Sequence, residues 1–206
     1  MLPIRYLFTP ANASTTGYAA SVTGATFTLT NTAATDSLAH RVTVLNNTAT
    51  NHSAKTLTFT GIDVDGHALT ETIAAPAGSA TVTTTGYYKT LTSVTVSATI
   101  GADTFSIGWA AQFISPTIGL DRNTGIVGVF TNVTGTINYT IQDTSDNIQT
   151  LVRSSINWVN NDDTTLVNAA TSLKGNYVTT VIATRLVVNS YSSGATIEYN
   201  IIQRYV

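Results

Sequence analysis

The sequence predicts an all-β protein made of two tandem antiparallel modules, β-sandwiches or jelly rolls, with an extended N-terminal arm. Apolar and polar residues alternate with a period of two along most of the chain, as half-buried strands do. Charged residues make up only 10%, against a norm of about 25%, and threonine, serine and asparagine take their place. We expect the arm at 1–12, the first module at 13–112 and the second at 113–206.

The strands of the first module are predicted from short runs in which every second residue is apolar and threonine lies between. The predicted inward residues are Phe27 and Leu29, Val42 and Val44, Leu57 and Phe59, and Val94 and Val96. Turn-forming pairs such as Asn46-Asn47 and Asp65-Gly66 separate these runs. The pattern indicates a sheet with threonine toward water.

The boundary between the modules is expected in residues 110–123, where Pro116 and Gly119 interrupt the alternation. Alternation resumes in VGVFTNV, GTINYTIQ, the long run YVTTVIATRLVVNSY and ATIEYNIIQRYV. Only residues 163–176 resemble a helix, and their threonine and asparagine content allows at most one short helix.

The N-terminal arm is the segment that we expect to make contacts with other proteins. Its apolar residues are Leu2, Ile4, Tyr6, Leu7 and Phe8. Pro3 and Pro10 disfavour a regular central strand, so the arm is predicted to lie across a neighbouring subunit or an underlying shell. The alternative is that it folds back on its own first module. Symmetric self-association as a homotrimer would let each arm clamp the next copy.

The stretch GIDVDGHALTET concentrates ionisable groups. It could form a metal or catalytic site, or it could be the turn of a hairpin. An EF-hand centred on Gly66 fails because its first and twelfth positions are Gly61 and Thr72, which carry no carboxylate. A hairpin is favoured, with a two-residue turn at Asp65-Gly66 and a bulge at Gly61.

This hairpin places Val64 beside His67 and Ile62 beside Leu69, and past the bulge it sets Leu57 opposite Ile73. Glu71 then falls opposite Phe59 on an otherwise apolar face, so it is expected at a sheet rim or accepting hydrogen bonds from a loop. The alternative is a site at Glu71, such as a hydrolase that pairs this glutamate with a loop aspartate.

Each of the other candidate sites can be explained by a metal or binding site or by an ordinary structural role. His40, His52 and His67 could meet in a metal site, but each lies at a turn or strand end, where a solvated histidine is expected. Asp143 and Asp146 of DTSDN could hold a hard cation, although Asx turns explain the same residues.

Trp158 with Asp162 and Asp163 could form a sugar-binding surface, or the tryptophan could pack in the core in front of a polar loop. The sequence contains no G-x-S-x-G elbow, no P-loop and no dinucleotide fingerprint. We therefore expect no enzyme activity, no catalytic residues, no cofactor and no metal.

The charge and hydropathy of the sequence limit the classes of partner that we expect. A net charge of −2 with nine lysines and arginines gives no basic stripe for a phosphate backbone, so nucleic acid is not expected as a partner. No apolar run has the length of a membrane span, and no membrane contact is expected. Pro3 and Arg5 interrupt the apolar start, so we expect no secretion signal, and the absence of cysteine suits a reducing cytoplasm.

Several sequence segments combine strand and turn residues in a recurring way. In the second module they are INYTIQDTSDNIQ, INWVNNDD and ATRLVVNSYSSGATIEYNIIQ, with Arg185, Ser193-Gly194 and Gln203, and in the first module they are GIDVDGHALTETI, TLTSVTVS and FSIGW. Together these segments resemble small β-rich virion structural proteins of tailed bacteriophages. The resemblance implies a capsid decoration or cement protein on a phage head. Its partners would be the major capsid protein or other virion proteins, and it would reach the virion by assembly in the host cytoplasm.

The same resemblance allows a tail, adaptor or fibre component, although a fibre stalk of coiled-coil or collagen type is missing.

Overall fold

A computed structural model of the chain describes residues 3–120, 124–151, 155–177 and 181–205. It is all-β with 56% strand, and the strands pair in antiparallel sheets, so the predicted fold class is confirmed at this level. The described residues contain no α-helix. Where a short helix was allowed, at 163–176, a 3-10 turn at Thr164–Leu166 is followed by a strand.

The strands vary in length and are separated by turns and loops of different lengths. They are β1 (Ile4–Phe8), β2 (Ser14–Val22), β3 (Thr26–Phe27), β4 (Ala39–Asn46), β5 (Thr56–Ile62), β6 (Ala68–Ala74), β7 (Thr81–Tyr88), β8 (Thr90–Val96), β9 (Phe105–Ile114), β10 (Ile118–Gly119), β11 (Thr124–Thr134), β12 (Ile137–Thr144), β13 (Val159–Asn160), β14 (Leu173–Asn176), β15 (Ala183–Tyr191) and β16 (Thr196–Tyr205).

The chain divides into two compact units. The N-terminal unit is Ala11–Phe113, and the C-terminal unit combines Ile114–Val206 with Met1–Pro10. In the N-terminal unit one sheet has the order β3-β8-β5-β6, while β4 lies between β7 and β9, and β2 pairs with β9. The predicted inward positions are confirmed: Val42, Val44, Leu57, Phe59 and Val94 are fully buried, Phe27 and Val96 nearly so, and Leu29 packs against the same core.

The C-terminal unit contains a four-stranded sheet of order β1-β16-β11-β14. A second group of strands has β12 between β13 and β15, with β10 on β15. Alternate residues of the long strands fill the interior. The buried ones include Ile137, Tyr139, Ile141, Leu186, Val188, Ile197, Tyr199 and Ile201.

The N-terminal arm is a regular strand of the C-terminal unit. β1 pairs with β16 from Ile4 opposite Ile201 to Phe8 opposite Ile197. One alternative expected the segment to fold back on the first module. It does fold back on its own chain, but it pairs with β16 of the C-terminal unit. Pro3 and Pro10 flank the strand without interrupting it, and β1 lies at a sheet edge, where a neighbouring proline is tolerated.

Candidate functional site

Strand β1 has one face packed on its unit and one face open. Phe8 is buried and stacks on Tyr6, with ring centroids 5.8 Å apart, and Ile4 is half-buried. Arg5 and Leu7 point the other way because side chains alternate along a strand, and Leu7 is 63% exposed. Of the predicted contact residues, Leu7 alone is thus shown on the open face. Leu2 lies outside the described residues.

An ion pair joins β1 to β16. Arg5 Nε lies 2.7 Å from Glu198 Oε1, and Arg5 Nη2 donates to Glu198 Oε2 at 3.1 Å. Asn200 Nδ2 donates to Glu198 Oε1 at 2.7 Å. The hydrogen bond from Asn200, helped by Arg5, holds the pKa of the Glu198 carboxyl below its usual range. The pair therefore favours one register of the two strands.

The same face of this sheet exposes three large apolar side chains. Leu7 on β1 is joined by Ile202 on β16, which is 42% exposed, and by Phe130 on β11, which is 39% exposed. The register places all three on one side, since Leu7 is opposite Glu198 and Phe130 is opposite Asn200. We call Leu7, Phe130 and Ile202, with the Arg5–Glu198 pair between them, the outer face.

The Asp63–His67 segment is a hairpin loop, but its turn is one residue longer than predicted. Asp63 N donates to His67 O at 2.9 Å and Gly66 N to Asp63 O at 3.2 Å, with Gly66 at φ +87°. This is a three-residue loop closed by a left-handed glycine. The Asp63 carboxylate causes the difference, because its Oδ1 accepts from the backbone N–H of both Asp65 and His67 at 2.9 Å.

The pairing of β5 with β6 runs without a bulge. Ile62 is opposite Ala68, not Leu69, while Leu57 is opposite Ile73 as predicted. The predicted irregularity at Gly61 exists, but it lies in the pairing of β5 with β8. A Cβ on Gly61 would lie 2.1 Å from the Thr90 carbonyl oxygen, so glycine is required for this close approach.

Glu71 lies opposite Phe59, as predicted, and accepts three hydrogen bonds from β7. Its Oε1 accepts from Thr85 N at 2.7 Å and from Thr85 Oγ1 at 2.9 Å, and its Oε2 accepts from Gly86 N at 2.8 Å. The two amides lie on the stretch of β7 where its register against β4 shifts. Glu71 therefore supplies acceptors for backbone donors and joins β6 to β7.

His40 and Asp36 form a buried pair, in contrast to the predicted solvated histidine. His40 is fully buried, with Nε2 2.9 Å from Asp36 Oδ2 and Nδ1 3.0 Å from the carbonyl oxygen of Gln112. Asp36 also accepts from Ala11 N at 2.6 Å and from Leu38 N at 2.9 Å. Burial alone raises the pKa of Asp36, but these hydrogen bonds outweigh it and hold the pKa below its usual range.

His52 is the second buried histidine and again corrects the expectation of a solvated ring. It is 4% exposed, and its Nε2 lies 2.9 Å from Asp103 Oδ2. Lys55 Nζ lies 3.1 Å from His52 Nδ1 and donates to the Thr99 carbonyl oxygen at 2.6 Å. Burial raises the pKa of Asp103, yet hydrogen bonds from threonines and His52 bring it below its usual range. The group ties two loops together.

The three histidines do not come together. His67 is exposed, and its Nδ1 lies 3.6 Å from Asp63 Oδ1. Each histidine therefore lies next to a different aspartate. Within the ranges that the structure describes, no group of three or more histidine, aspartate or glutamate side chains could hold a metal ion. In those same ranges no helix has the length and hydropathy needed to cross a membrane.

Trp158 is half-buried and carries an arginine on its ring. The Arg185 guanidinium carbon lies 4.1 Å from the ring centroid, and Arg185 also donates from Nε and Nη2 to Gln142 Oε1. Asp163 accepts from Thr165 N and Oγ1 and begins the 3-10 turn. Trp158 is thus not a core residue, and of the two neighbouring aspartates Asp162 is the exposed one.

Asp143 is buried in strand β12, away from any loop surface. Its Oδ2 accepts from Asn161 Nδ2 at 2.6 Å, and no described residue donates to Oδ1. The Tyr177 hydroxyl lies near the carboxyl but bonds to Thr184 Oγ1, at 2.5 Å. Burial raises the pKa of Asp143 despite these neighbours.

Asp146, the other half of the predicted cation pair, accepts at 2.6 Å from the backbone N–H of Asn157, which lies further along the chain. The two carboxylates therefore have separate structural partners.

The chain matches no protein-family model, no curated protein and no solved structure.

Sequence reasoning missed the two buried histidine–aspartate pairs. Asp36 and His40 are four residues apart, a spacing that could have suggested contact across a tight turn. His52 and Asp103 are 51 positions apart and offered no such signal, because folding alone brings their loops together.

Proposed function

We propose that the protein is a non-enzymatic structural component of a virion, acting as a decoration or cement protein on the head of a tailed bacteriophage. Its partners are the major capsid protein and further copies of itself, arranged as a homotrimer. We also propose that the two units are separate sandwich or jelly-roll modules. The outer face, three exposed apolar side chains around one ion pair, is the observation that carries this proposal.

The ionisable side chains support a structural role. Glu71, Asp36 and Asp163 each accept hydrogen bonds from backbone N–H groups. A carboxylate in that position satisfies donors that folding would otherwise leave without partners. To act as a general base it would have to give up those bonds, so these groups are better suited to holding strands than to moving protons.

The outer face supports attachment by contact area. Leu7, Phe130 and Ile202 offer apolar surface, and the charges between them, Arg5 and Glu198, are already paired. Burying such a face takes apolar atoms from water without leaving an unpaired charge. Affinity then comes from area and from many repeated copies, and it weakens little with salt.

The test is binding to particles of the virus whose genome encodes this chain, prepared without the protein. The double variant Leu7→Asp with Phe130→Asp should lose cosedimentation, because it puts carboxylates in the centre of the contact. Thr70→Asp, on the exposed side of β6, is the matched control and should bind as wild type does. A wild-type chain that never sediments with particles would overturn the proposal, and binding to tails alone would move it to the tail or adaptor class.

A carbohydrate-binding module is a second candidate, since Trp158 keeps part of its ring exposed next to Asp162. Arg185 covers one ring face and Asp163 is occupied by Thr165, so a sugar would have to stack on the other face of the ring. A glycan array decides: specific binding that disappears in Trp158→Ala supports this candidate, and a blank array removes it.

A further inference from the structure

Strand β1 belongs to one unit while the chain that follows it belongs to the other. Residues through Pro10 group with Ile114–Val206, and the chain enters the N-terminal unit at Ala11. The partners described for β1 lie on β16, 193 positions away in the case of Arg5 and Glu198. β1 is therefore attached to its unit by strand pairing and side-chain contacts, and reaches it through a short covalent connection.

That connection is fixed at its far end. Ala11 N donates to Asp36 Oδ2 at 2.6 Å, and Trp109 Nε1 donates to the Asn12 carbonyl oxygen at 2.9 Å. Between Phe8, the last residue of β1, and Ala11 lie only Thr9 and Pro10. A short hinge that contains proline restricts the chain and favours exchange of the element beyond it.

The edge of β16 needs a strand. Ile197, Tyr199 and Ile201 are at most 1% exposed with β1 in place, and their cross-strand partners are Phe8, Tyr6 and Ile4. Without β1 these side chains would meet water and the backbone of β16 would lose its pairing on that side. An identical strand from another copy would restore every one of these contacts.

We infer that β1 is an exchanged strand, pairing with β16 of a second copy of this chain in the register seen within one chain. The Arg5–Glu198 pair and the three inward side chains provide the same recognition within a chain or between chains. Exchange around a closed ring satisfies every β16 edge, as a trimer would. The inference rests on the proposed self-association and specifies the strand that makes it.

Strand exchange between copies should depend on protein concentration, because β1 is covalently tethered to its own chain. In a dilute solution the covalent connection keeps β1 on its own unit, because the effective concentration of the tethered strand is high. When copies are crowded, exchange forms the same contacts between chains. Interchain pairing should therefore grow with protein concentration.

The experiment uses disulfide capture, for which a chain without cysteine is well suited. Leu7→Cys with Glu198→Cys joins two residues that are opposite in the β1–β16 pairing. Asn132→Cys with Glu198→Cys is the matched control, since β11 and β16 pair within one unit and share the second substitution. Both variants are oxidised over a range of protein concentrations and separated on non-reducing gels.

The inference predicts covalent multimers of the Leu7/Glu198 variant whose fraction rises severalfold for an about tenfold rise in concentration, while the Asn132/Glu198 control stays monomeric on the gel. Disulfides confined to single chains at the highest concentration would overturn it. If the first variant does not fold, Arg5→Cys with Asn200→Cys and its control Phe130→Cys with Asn200→Cys replace the pairs.

The crosslinking experiment and the particle-binding experiment can fail independently of each other. Chains that crosslink only internally but still sediment with particles contradict exchange and leave the decoration role standing. Chains that exchange strands but never sediment with particles contradict the decoration role and leave exchange standing.

Discussion

Asp36 in the N-terminal unit and Asp143 in the C-terminal unit have buried side chains, yet their surroundings differ. Asp36 accepts from His40 and from two backbone amides, at Ala11 and Leu38. Asp143 Oδ2 accepts from Asn161 Nδ2, and no described residue donates to Asp143 Oδ1. Hydrogen bonds hold the pKa of Asp36 below its usual range against burial, whereas burial raises the pKa of Asp143.

The comparison teaches that burial alone does not set the charge of a carboxyl group. Donors directed at the carboxylate stabilise its charged form, and a site with few donors favours the neutral acid. Hydrogen bonds therefore favour the charged form of Asp36, whereas burial favours the neutral form of Asp143. Opposite responses of the two aspartates to pH follow.

Asp36→Ala should have the largest effect, because it removes the carboxylate that accepts from His40 Nε2 and from two backbone amides. We expect the free energy of unfolding to fall by about 3 kcal/mol, the cost of breaking a buried pair. Urea unfolding at pH 7 measures it. Asp162→Ala removes an exposed carboxylate and should change stability by less than about 0.5 kcal/mol.

The sign of the pH dependence is set by the lowered pKa of Asp36. Its stabilisation is present above the unfolded-state pKa of about 4 and is lost as pH falls through the lower folded-state value. Asp36→Asn should flatten this acid limb. An unchanged acid limb in that variant would show that the Asp36 carboxyl does not contribute to the acid dependence of stability.

Asp143→Asn tests the raised pKa of the buried aspartate in the C-terminal unit. The raised pKa means that the stability contributed by Asp143 is complete below about pH 4 and is lost as pH rises toward the folded-state value. The amide cannot ionise, so the variant should be more stable at pH 7, by on the order of 1 kcal/mol. A variant that is less stable at every pH would contradict a raised pKa for the Asp143 carboxyl.

Glu71→Gln tests a carboxylate that is only half-buried. The amide oxygen can still accept, but the second position becomes a donor that faces the amide of Gly86. We expect a loss of about 1 kcal/mol in the free energy of unfolding. Thr70→Gln on the same strand is the control. Should Glu71→Gln abolish turnover of any glycoside substrate, the structural role assigned to Glu71 would be wrong.

Arg5→Ala should have the smallest effect on stability, since the Arg5 side chain is 63% exposed and exposed pairs contribute little. The midpoint of thermal unfolding should move by an amount near the limit of detection. A large fall would mean that the ion pair, not the inward side chains Tyr6 and Phe8, holds β1 in place.

The sequence predicted the local features of the fold well, because period-two alternation reflects burial on one side of a strand. Val42, Leu57 and Phe59 are inward as expected, and Glu71 lies opposite Phe59. The turn was misjudged by one residue, since the Asp63 side chain bonds to the loop backbone and competes with the Asp65-Gly66 preference.

Long-range partners could not be predicted in the same way. β15 and β16 follow each other through a turn with Gly194 at φ +75°, yet β15 pairs with β12 and β16 pairs with β11. β1 pairs with β16 at the opposite end of the sequence, and alternation carries no signal for that pairing. Alternation specifies which residues point inward, but not which strand lies alongside.

Mass spectrometry of purified particles tests the central claim, a structural virion protein, most directly. Particles of the encoding virus are banded on a density gradient, and the peptides of this chain are quantified against those of the major capsid protein. The account predicts that the chain is present in a fixed ratio to the capsid protein and stays bound at high salt, as an apolar contact requires. Particles that are complete and infectious but contain no peptide of this chain would contradict it.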